Sequence, residues 1–545
     1  MIFTLGAFIM IPSNKRIIFS NLSDDRLVFF LFAIANLIPL FFTYYVGSLD
    51  GPKHLFASNV IGKLISGDAL FEQYYTLNPI YIGNVLGNYI LAFFNIISPA
   101  WMAEKAFMMV YLMTFVYGFR YLVVAIKGKS GYFSLLIFPF THTSLFLMGY
   151  YNFSFAIGLL FFSLGFWVKF GNKMNYVTAF KLGLLLLLTY LSHIFIFAVL
   201  LLLMAAYSAY GLIVDLTRTG KAPFRTFLSS TFYGLLSALP SLILAFFYVR
   251  LILLYQEGAG MNPGSADKVK DLLTLRILAG FDLKAELPVT QILFYFLVAL
   301  GVIFILQRII LYSRRAVSNK SALVSKHDFW LLMALLFLTL YFILPDGTNA
   351  AGSIGVRMLI LTMILFVLWL SLQEYRKYFA LIPVVAMLIY GIQMKSIHHN
   401  YLKPLDKAIR EIEAFETKIP ANSLIVTMNF GKNWLMYYFQ NYFGAQQALV
   451  DLKSNSCSPF LAIDWKEGRP DLYADSSLVD GLTGYFNAFN NQRDIADYVA
   501  IIGYNHYLKE ETLLEFREVL NRGYDLESTS ETQAVALFKR KPHLH

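Results

Sequence analysis

The sequence predicts a polytopic α-helical membrane protein of about eleven spans that ends in an extracytoplasmic α/β domain. Three observations carry this reading. Hydrophobic side chains make up 58% of the chain and charged ones only 14%, against roughly 25% charged residues in ordinary soluble domains. Apolar runs recur from Leu27 to Tyr390, each about 17 to 25 residues long and so able to cross ~30 Å of hydrocarbon. After Lys395 the texture becomes that of a water-soluble domain with alternating helix and strand patterns.

Basic residues orient the spans, because Lys and Arg concentrate in cytoplasmic loops. Lys15, Arg16 and Arg26 precede the first apolar run, which puts the N-terminus in the cytoplasm and Asp50 outside. Later basic loops hold Lys127 and Lys129; Lys169 and Lys173; Arg218, Lys221 and Arg225; Arg314, Arg315, Lys320 and Lys326; and Arg376 with Lys377. With all of these inside, the spans fall near 27–47, 102–124, 132–149, 152–169, 176–191, 194–214, 226–255, 290–312, 328–345, 357–373 and 378–395. An odd count sends the C-terminal region out. The expected organisation is a membrane domain over 1–395, with a first external loop at 48–101, and an extracytoplasmic domain over 396–545. Such a chain sits in the inner, cytoplasmic membrane with its C-terminal domain in the periplasm. The run Ile80 to Ile97 is apolar, but counting it as a span would carry Lys127 and Lys129 outside; it reads as a helix lying at the interface of the first loop.

Composition excludes other classes. The net charge of +10 is spread over short loops, which fits membrane topology and no nucleic-acid surface. A single cysteine, Cys457, rules out an internal disulfide framework. Met1 to Pro12 has no basic region ahead of it and no small-residue cleavage site after it, so the first span is expected to act as an uncleaved signal anchor. No internal repeat suggests an inverted-repeat transporter. In the C-terminal part, helices are expected over Pro404 to Thr417, Trp434 to Phe443 and Thr512 to Leu520, and strands over Leu424 to Met428, Tyr498 to Ile502 and Gln533 to Lys539.

Candidate chemistry concentrates on the outer face. Asp50 precedes Gly51-Pro52, so it is at once a good helix N-cap and a carboxylate delivered to the membrane surface. His54, four residues on, would be its neighbour, and the pair could deprotonate a hydroxyl or help to hold a divalent cation. Asp68 and Glu72 supply a second acid pair, or simply solvated loop charges. Tyr74 and Tyr75 could stack on a sugar, or serve as interfacial belt residues. Arg357 stands where the loop PDGTNAAGSIGVR re-enters the membrane, on the side where cations are rare. Its fork could grip a lipid phosphate, or it could pair with Asp346. His193, in the turn TYLSHIFIF, and His142, in FPFTHTSLF, are rim or intramembrane ionisable groups, either functional or bonded helix to helix.

These residues, in SLDGPKHLFASNVIGKLISGD, GYYNFSFAIGLLFF, SHIF and VRM, together with DYVAIIGY and AVALFKRK near the C-terminus, resemble the GT-C superfamily of integral-membrane glycosyltransferases along nearly the whole chain. The resemblance implies transfer of a sugar from a polyprenyl-phosphate or polyprenyl-diphosphate donor to a hydroxyl of a protein, lipid or glycan acceptor at the outer face, with inversion. It makes Asp50 the general base or metal-associated acid, Asp68 or Glu72 a supporting acid, and Arg357 a ligand for the carrier phosphate; beside these, the residues themselves offer His54 for the catalytic group, Lys53 and His193 for the donor phosphate, and Tyr74, Tyr75 and His142 for sugar or acceptor contacts. A metal-dependent version would place Mg2+ or Mn2+ on Asp50. The first loop reads Asp-Gly-Pro-Lys-His where many relatives carry an Asp-Glu pair, and no WWD-type motif of oligosaccharyltransferases stands in the C-terminal part. Other readings of the same architecture are a flippase for a lipid-linked glycan and an O-antigen polymerase or ligase.

Overall fold

A computed structural model describes residues 25–219, 223–254, 265–315, 325–346, 352–467 and 495–542. Lys15, Arg16, Lys221 and Lys320 lie outside the described residues. The helices are α1 (Asp25–Leu37), α2 (Gly51–Ile65), α3 (Ala69–Tyr74), α4 (Leu86–Ile97), α5 (Ala100–Lys127), α6 (Ser144–Leu147), α7 (Tyr151–Phe170), α8 (Tyr176–Ser192), α9 (Ile194–Thr219), α10 (Phe224–Leu254), α11 (Ser265–Leu273), α12 (Leu283–Arg315), α13 (Asp328–Ile343), α14 (Ile354–Ser371), α15 (Leu381–Glu416), α16 (Tyr504–Tyr507) and α17 (Leu514–Gly523). Each of the expected spans contains helical structure, and among the described residues 7 helices are long and apolar enough on their own to cross a membrane. The chain is a multi-pass membrane protein.

Four segments differ from their expected form. In the run expected at 27–47 the α-helix stops at Leu37 and passes into a 3-10 turn, Ile38–Phe41, that contains Pro39, and residues 42–47 are not helical; the helix expected at Trp434 to Phe443 is a 3-10 helix, Trp434–Tyr442. Residues 132–149 do not make one α-helix: a 3-10 helix, Tyr132–His142, contains Pro139 and stops at Thr143, which turns extended and caps α6 through its hydroxyl. Proline removes a backbone donor there, and irregular backbone at membrane depth is tolerated because it is packed inside the protein; Phe133 to Thr141 are all buried. The helix expected at Pro404 is continuous with the last span, so α15 runs 36 residues through Pro404 and into the C-terminal domain. The apolar run at 80–97 forms α4, whose 12 residues are too few to span. Phe93, Ile96 and Ile97 of α4 are exposed while Gly87, Asn88, Leu91 and Ala92 are buried, the one-sided pattern of an interfacial helix.

The two ends of the bundle differ chemically. At one end the basic loops gather and pair: Arg120 with Asp25, Lys127 and Lys129 with Glu374, Arg308 with Asp328, and Lys326 with Asp215. At the other end sits the C-terminal domain. Its strands β2 (Ser423–Asn429), β3 (Leu449–Asp451), β5 (Tyr498–Ile502), β6 (Tyr524–Thr529) and β7 (Val535–Arg540) form a sheet in the order β3-β2-β5-β7-β6. β2 runs parallel to β3 and β5, and β7 runs antiparallel to β5 and β6.

This domain is fastened to the first loop. β1 (Tyr75–Leu77) of the loop pairs antiparallel with β4 (Ile463–Trp465) of the domain. Asn59 donates to the carbonyls of Gly444 at 2.9 Å and Gln447 at 2.7 Å, and Asn78 donates to those of Ser458 and Leu461. Part-buried carbonyls of this kind cost free energy when stripped of a donor. Asn59→Ala is therefore expected to destabilise the chain by about 1 to 3 kcal/mol, read as a lower thermal midpoint of the detergent-solubilised protein; an unchanged midpoint would contradict the fastening role.

Candidate active site

A cavity of about 220 Å³ opens where the first loop, the α6–α7 turn, the α8–α9 turn, the start of α14 and the C-terminal domain meet. Asp50, Lys53, His54, His193 and Arg357 all line it, from three stretches far apart in sequence. Its volume falls below the roughly 300 to 1,000 Å³ of drug-sized ligand pockets, which suits a group the size of one sugar ring.

Asp50 occupies the N-cap position of α2, with Pro52 in the first turn, yet its side chain makes no capping hydrogen bond. Among the described residues none hydrogen-bonds its carboxylate. Its main chain is held instead: the Asp50 N–H donates to the carbonyl of Met148 at 3.0 Å. Gly149 lies against it at φ +90, where an added Cβ would come within 2.7 Å of Asp50 atoms. Only glycine accepts both that conformation and that approach. Burial raises the Asp50 carboxyl above the ordinary carboxylate value, and the charge of Lys53 works against the rise.

His54 turns away from Asp50. Its Nε2 lies 3.0 Å from the Gly149 carbonyl oxygen, so it carries the proton and donates; its Nδ1 then accepts from the Asn88 amide at 3.2 Å. The ring stacks on Tyr151 at 5.0 Å. This is a neutral, fixed imidazole, and burial, with the charge of Lys53, pushes it down to about 4. The expected acid–imidazole pair is thus not formed, because both ring nitrogens are engaged elsewhere. Lys53 reaches over the Tyr438 ring of the C-terminal domain at 4.6 Å.

Arg357 is buried beneath three aromatic rings, with its guanidinium carbon 5.8 Å from Tyr150, 5.3 Å from Phe153 and 5.9 Å from Phe195. The pairing with Asp346 is not made: no carboxylate among the described residues reaches ion-pair distance, and Asp346 accepts from the Gly355 N–H at 2.9 Å. The Arg357 Nε and the His193 Nδ1 are both buried without a hydrogen-bond partner. Both residues line the cavity, and a buried polar nitrogen without a partner calls for one, which an anionic group beside Arg357 would supply.

The other sequence candidates lie elsewhere. Asp68 caps α3, accepting from the Leu70 and Phe71 N–H groups at 3.1 and 3.3 Å, and Glu72 is exposed beside it. Tyr74 and Tyr75 are buried where the loop meets the C-terminal domain, and Tyr75 stacks on Trp465 at 4.9 Å, so that face of the ring is taken. His142 bonds Thr141 at 2.9 Å inside the broken helix, away from the cavity.

Several lining groups escaped the sequence reading. Asn152 accepts from the Gly87 N–H at 2.6 Å, and donates to the Asn84 carbonyl at 2.6 Å and the Asn88 side chain at 3.1 Å, which fixes the cavity floor. Behind Gly51, the fully buried Glu104 accepts from the Val46 N–H and the Tyr151 hydroxyl, each at 2.9 Å. An acid inside the apolar run of α5 was the available signal. A second, larger cavity of about 440 Å³ adjoins the other side of the Ser144–Met148 segment. There Lys268 already donates to the carbonyls of Phe342 and Leu344, and Arg276 to that of Ala279.

Asp50 is the one carboxylate lining the smaller cavity and shares it with Lys53, and no group of three metal-ligating side chains occurs among the described residues. A depressed histidine lowers stability as protons become available: the His54 contribution is complete above its ordinary value of 6.5 and is lost as pH falls toward about 4. Stability compared between the native chain and His54→Gln should therefore show an extra acid-side loss in the native chain over that window; parallel pH curves would contradict the buried neutral assignment.

No family model matches the chain, and no curated protein matches it. Among solved structures it is similar to ArnT from Cupriavidus metallidurans in the apo state, with a TM-score of 0.48 and 10% identity over 95% of this chain and 98% of that one. The same protein bound to undecaprenyl phosphate gives a TM-score of 0.49 and 9% identity over the same shares. The oligosaccharyltransferase of Archaeoglobus fulgidus in its apo form gives 0.47 and 12% over 95% of this chain and 74% of that one.

Proposed function

We propose that the chain is a membrane glycosyltransferase that moves a sugar from a polyprenyl-phosphate or polyprenyl-diphosphate donor to an acceptor hydroxyl at the outer face of the membrane. The observation that carries the reading is the convergence of an unbonded carboxylate, Asp50, with an unpaired buried cation, Arg357, on one small cavity. A flippase needs a polar path but has no use for a base held ready in this way.

The chemistry is a direct displacement. The acceptor hydroxyl oxygen bonds to the anomeric carbon as the bond from that carbon to the donor phosphate oxygen breaks, which inverts the centre. Asp50 takes the hydroxyl proton, and the polyprenyl phosphate leaves with the electron pair, its charge met by Arg357 and hydrogen bonds at His193. Gathering of the basic loops at the far end of the bundle supports a cytoplasmic N-terminus and an extracytoplasmic C-terminal domain.

Asp50→Asn should reduce glycosyl transfer in membranes by about 10²-fold or more while the chain still folds and binds donor; transfer at the native rate would remove the base assignment. In the native enzyme the raised Asp50 carboxyl sets the acid limb, so the rate should fall with decreasing pH at a value above the ordinary carboxylate range. Arg357→Ala should weaken donor binding by about 10- to 100-fold, measured by titrating the solubilised protein with lipid-linked donor; unchanged affinity would contradict the phosphate role.

A further inference from the structure

Lys53 is the charged residue of the cavity that the C-terminal domain takes hold of. It stands in the first turn of α2, where a cation meets the positive end of the helix dipole, so its own helix gives it no support there. Both ends of the residue are gripped from the other domain instead. The Ser456 hydroxyl, itself on the cavity wall, lies 3.4 Å from the Lys53 carbonyl and 3.3 Å from the Asn441 side-chain oxygen, shared between the two acceptors. The Tyr438 ring faces the Lys53 ammonium at 4.6 Å. Asn441 joins the two grips, because its amide donates to the Tyr438 carbonyl at 3.2 Å. Among the described residues no hydrogen bond or ion pair holds that ammonium, which leaves the ring to fix it.

We propose that Tyr438 is a positioning residue of the site: its ring holds the Lys53 ammonium beside the Asp50 carboxylate, so that the C-terminal domain sets the countercharge of the base. The proposal rests on the reading of Asp50 as the base of glycosyl transfer. Asp50 and Lys53 are three residues apart at the start of α2 and therefore neighbours. Burial lifts the Asp50 carboxyl, and Lys53 is the charge that opposes the rise. A lysine released from the ring would leave Asp50 protonated more of the time, and a protonated carboxyl cannot take the proton of an acceptor hydroxyl. The other titratable groups around the pair are His54 on α2, Tyr150 and Tyr151 at the α6–α7 turn, His193 at the α8–α9 turn and Arg357 on α14. Glu104 of α5 stands behind Gly51, bonded to Val46 and Tyr151, Asp346 acts on Arg357, and Asp451 and Lys453 are buried in the stretch that leads to Ser456. All of these stay in place when the ring at position 438 is changed.

A thiol in place of the carboxylate reports the countercharge without donor or acceptor. In the solubilised full chain carrying Asp50→Cys and Cys457→Ser, the rate of modification by methyl methanethiosulfonate, followed by mass across pH, gives the midpoint at which the thiolate at position 50 forms. Lys53→Met and Tyr438→Leu should each raise that midpoint by about half a pH unit or more. Tyr438→Phe should leave it in place, and Lys53→Met combined with Tyr438→Leu should raise it no further than either alone. Pentafluorophenylalanine at position 438 keeps the shape of the ring and removes its negative face; it should raise the midpoint above that of Tyr438→Phe, and it decides the matter if Tyr438→Leu fails to fold. A midpoint that rises with Lys53→Met but stays unmoved by the fluorinated ring would overturn the positioning role. One unmoved by Lys53→Met would overturn the pairing of Lys53 with Asp50 itself. Both outcomes leave the transfer reading standing, which falls instead if Asp50→Asn transfers sugar at the native rate.

Discussion

The close passage of the Asp50 main chain over Met148 and Gly149 is the contact on which the rest of the site depends. The Asp50 N–H is spent on the Met148 carbonyl and the Gly149 carbonyl takes the His54 proton donor, so one turn fixes the start of α2 and the rotation of its imidazole. Two residues on, Tyr151 stacks under His54 and bonds Glu104. The same turn presents Tyr150 and Phe153 to Arg357. Seven consecutive residues, 147–153, therefore set a carboxylate on one side and a guanidinium on the other. Neither charged group holds the other, because the backbone and the rings hold each separately.

This arrangement is expensive without a ligand. An unpaired buried donor costs about 1 to 3 kcal/mol, and ring contacts return only about 0.5 to 2 kcal/mol for a cation. Structural charges in this chain are treated differently. Glu416 accepts three backbone N–H groups, from Gly444, Gln446 and Gln447, and Glu286 is met by His398 and by the N–H groups of Gly280 and Phe281. Against those satisfied acids, Asp50 and Arg357 stand out as groups whose partners are not supplied by the fold.

Much of this was legible in the sequence because the membrane imposes simple rules. Apolar run length located the helices, and the Lys and Arg loops separated the two ends, which sufficed to put Asp50, Lys53, His54, His193 and Arg357 on one face. Spacing alone could not say which way a side chain turns. The i, i+4 relation between Asp50 and His54 holds, yet the imidazole points to Gly149 and Asn88. Long-range pairing was equally hidden: three residues at Tyr75 and three at Ile463 form a ladder across the two domains that no local pattern encodes. Asp68 read as a reactive acid because a capping carboxylate and a catalytic one look alike until the N–H groups of Leu70 and Phe71 are seen beside it. Asn84, Asn88 and Asn152 were visible as polar residues but acquire meaning only as the joined floor of the cavity.

The most direct test of the central claim is a density map of the full chain in lipid nanodiscs with added polyprenyl phosphate. The phosphate should appear in the cavity against Arg357 and His193, with Asp50 on the opposite wall. Phosphate density beside Lys268 and Arg276 in the neighbouring cavity, with the space before Arg357 left to solvent, would contradict it.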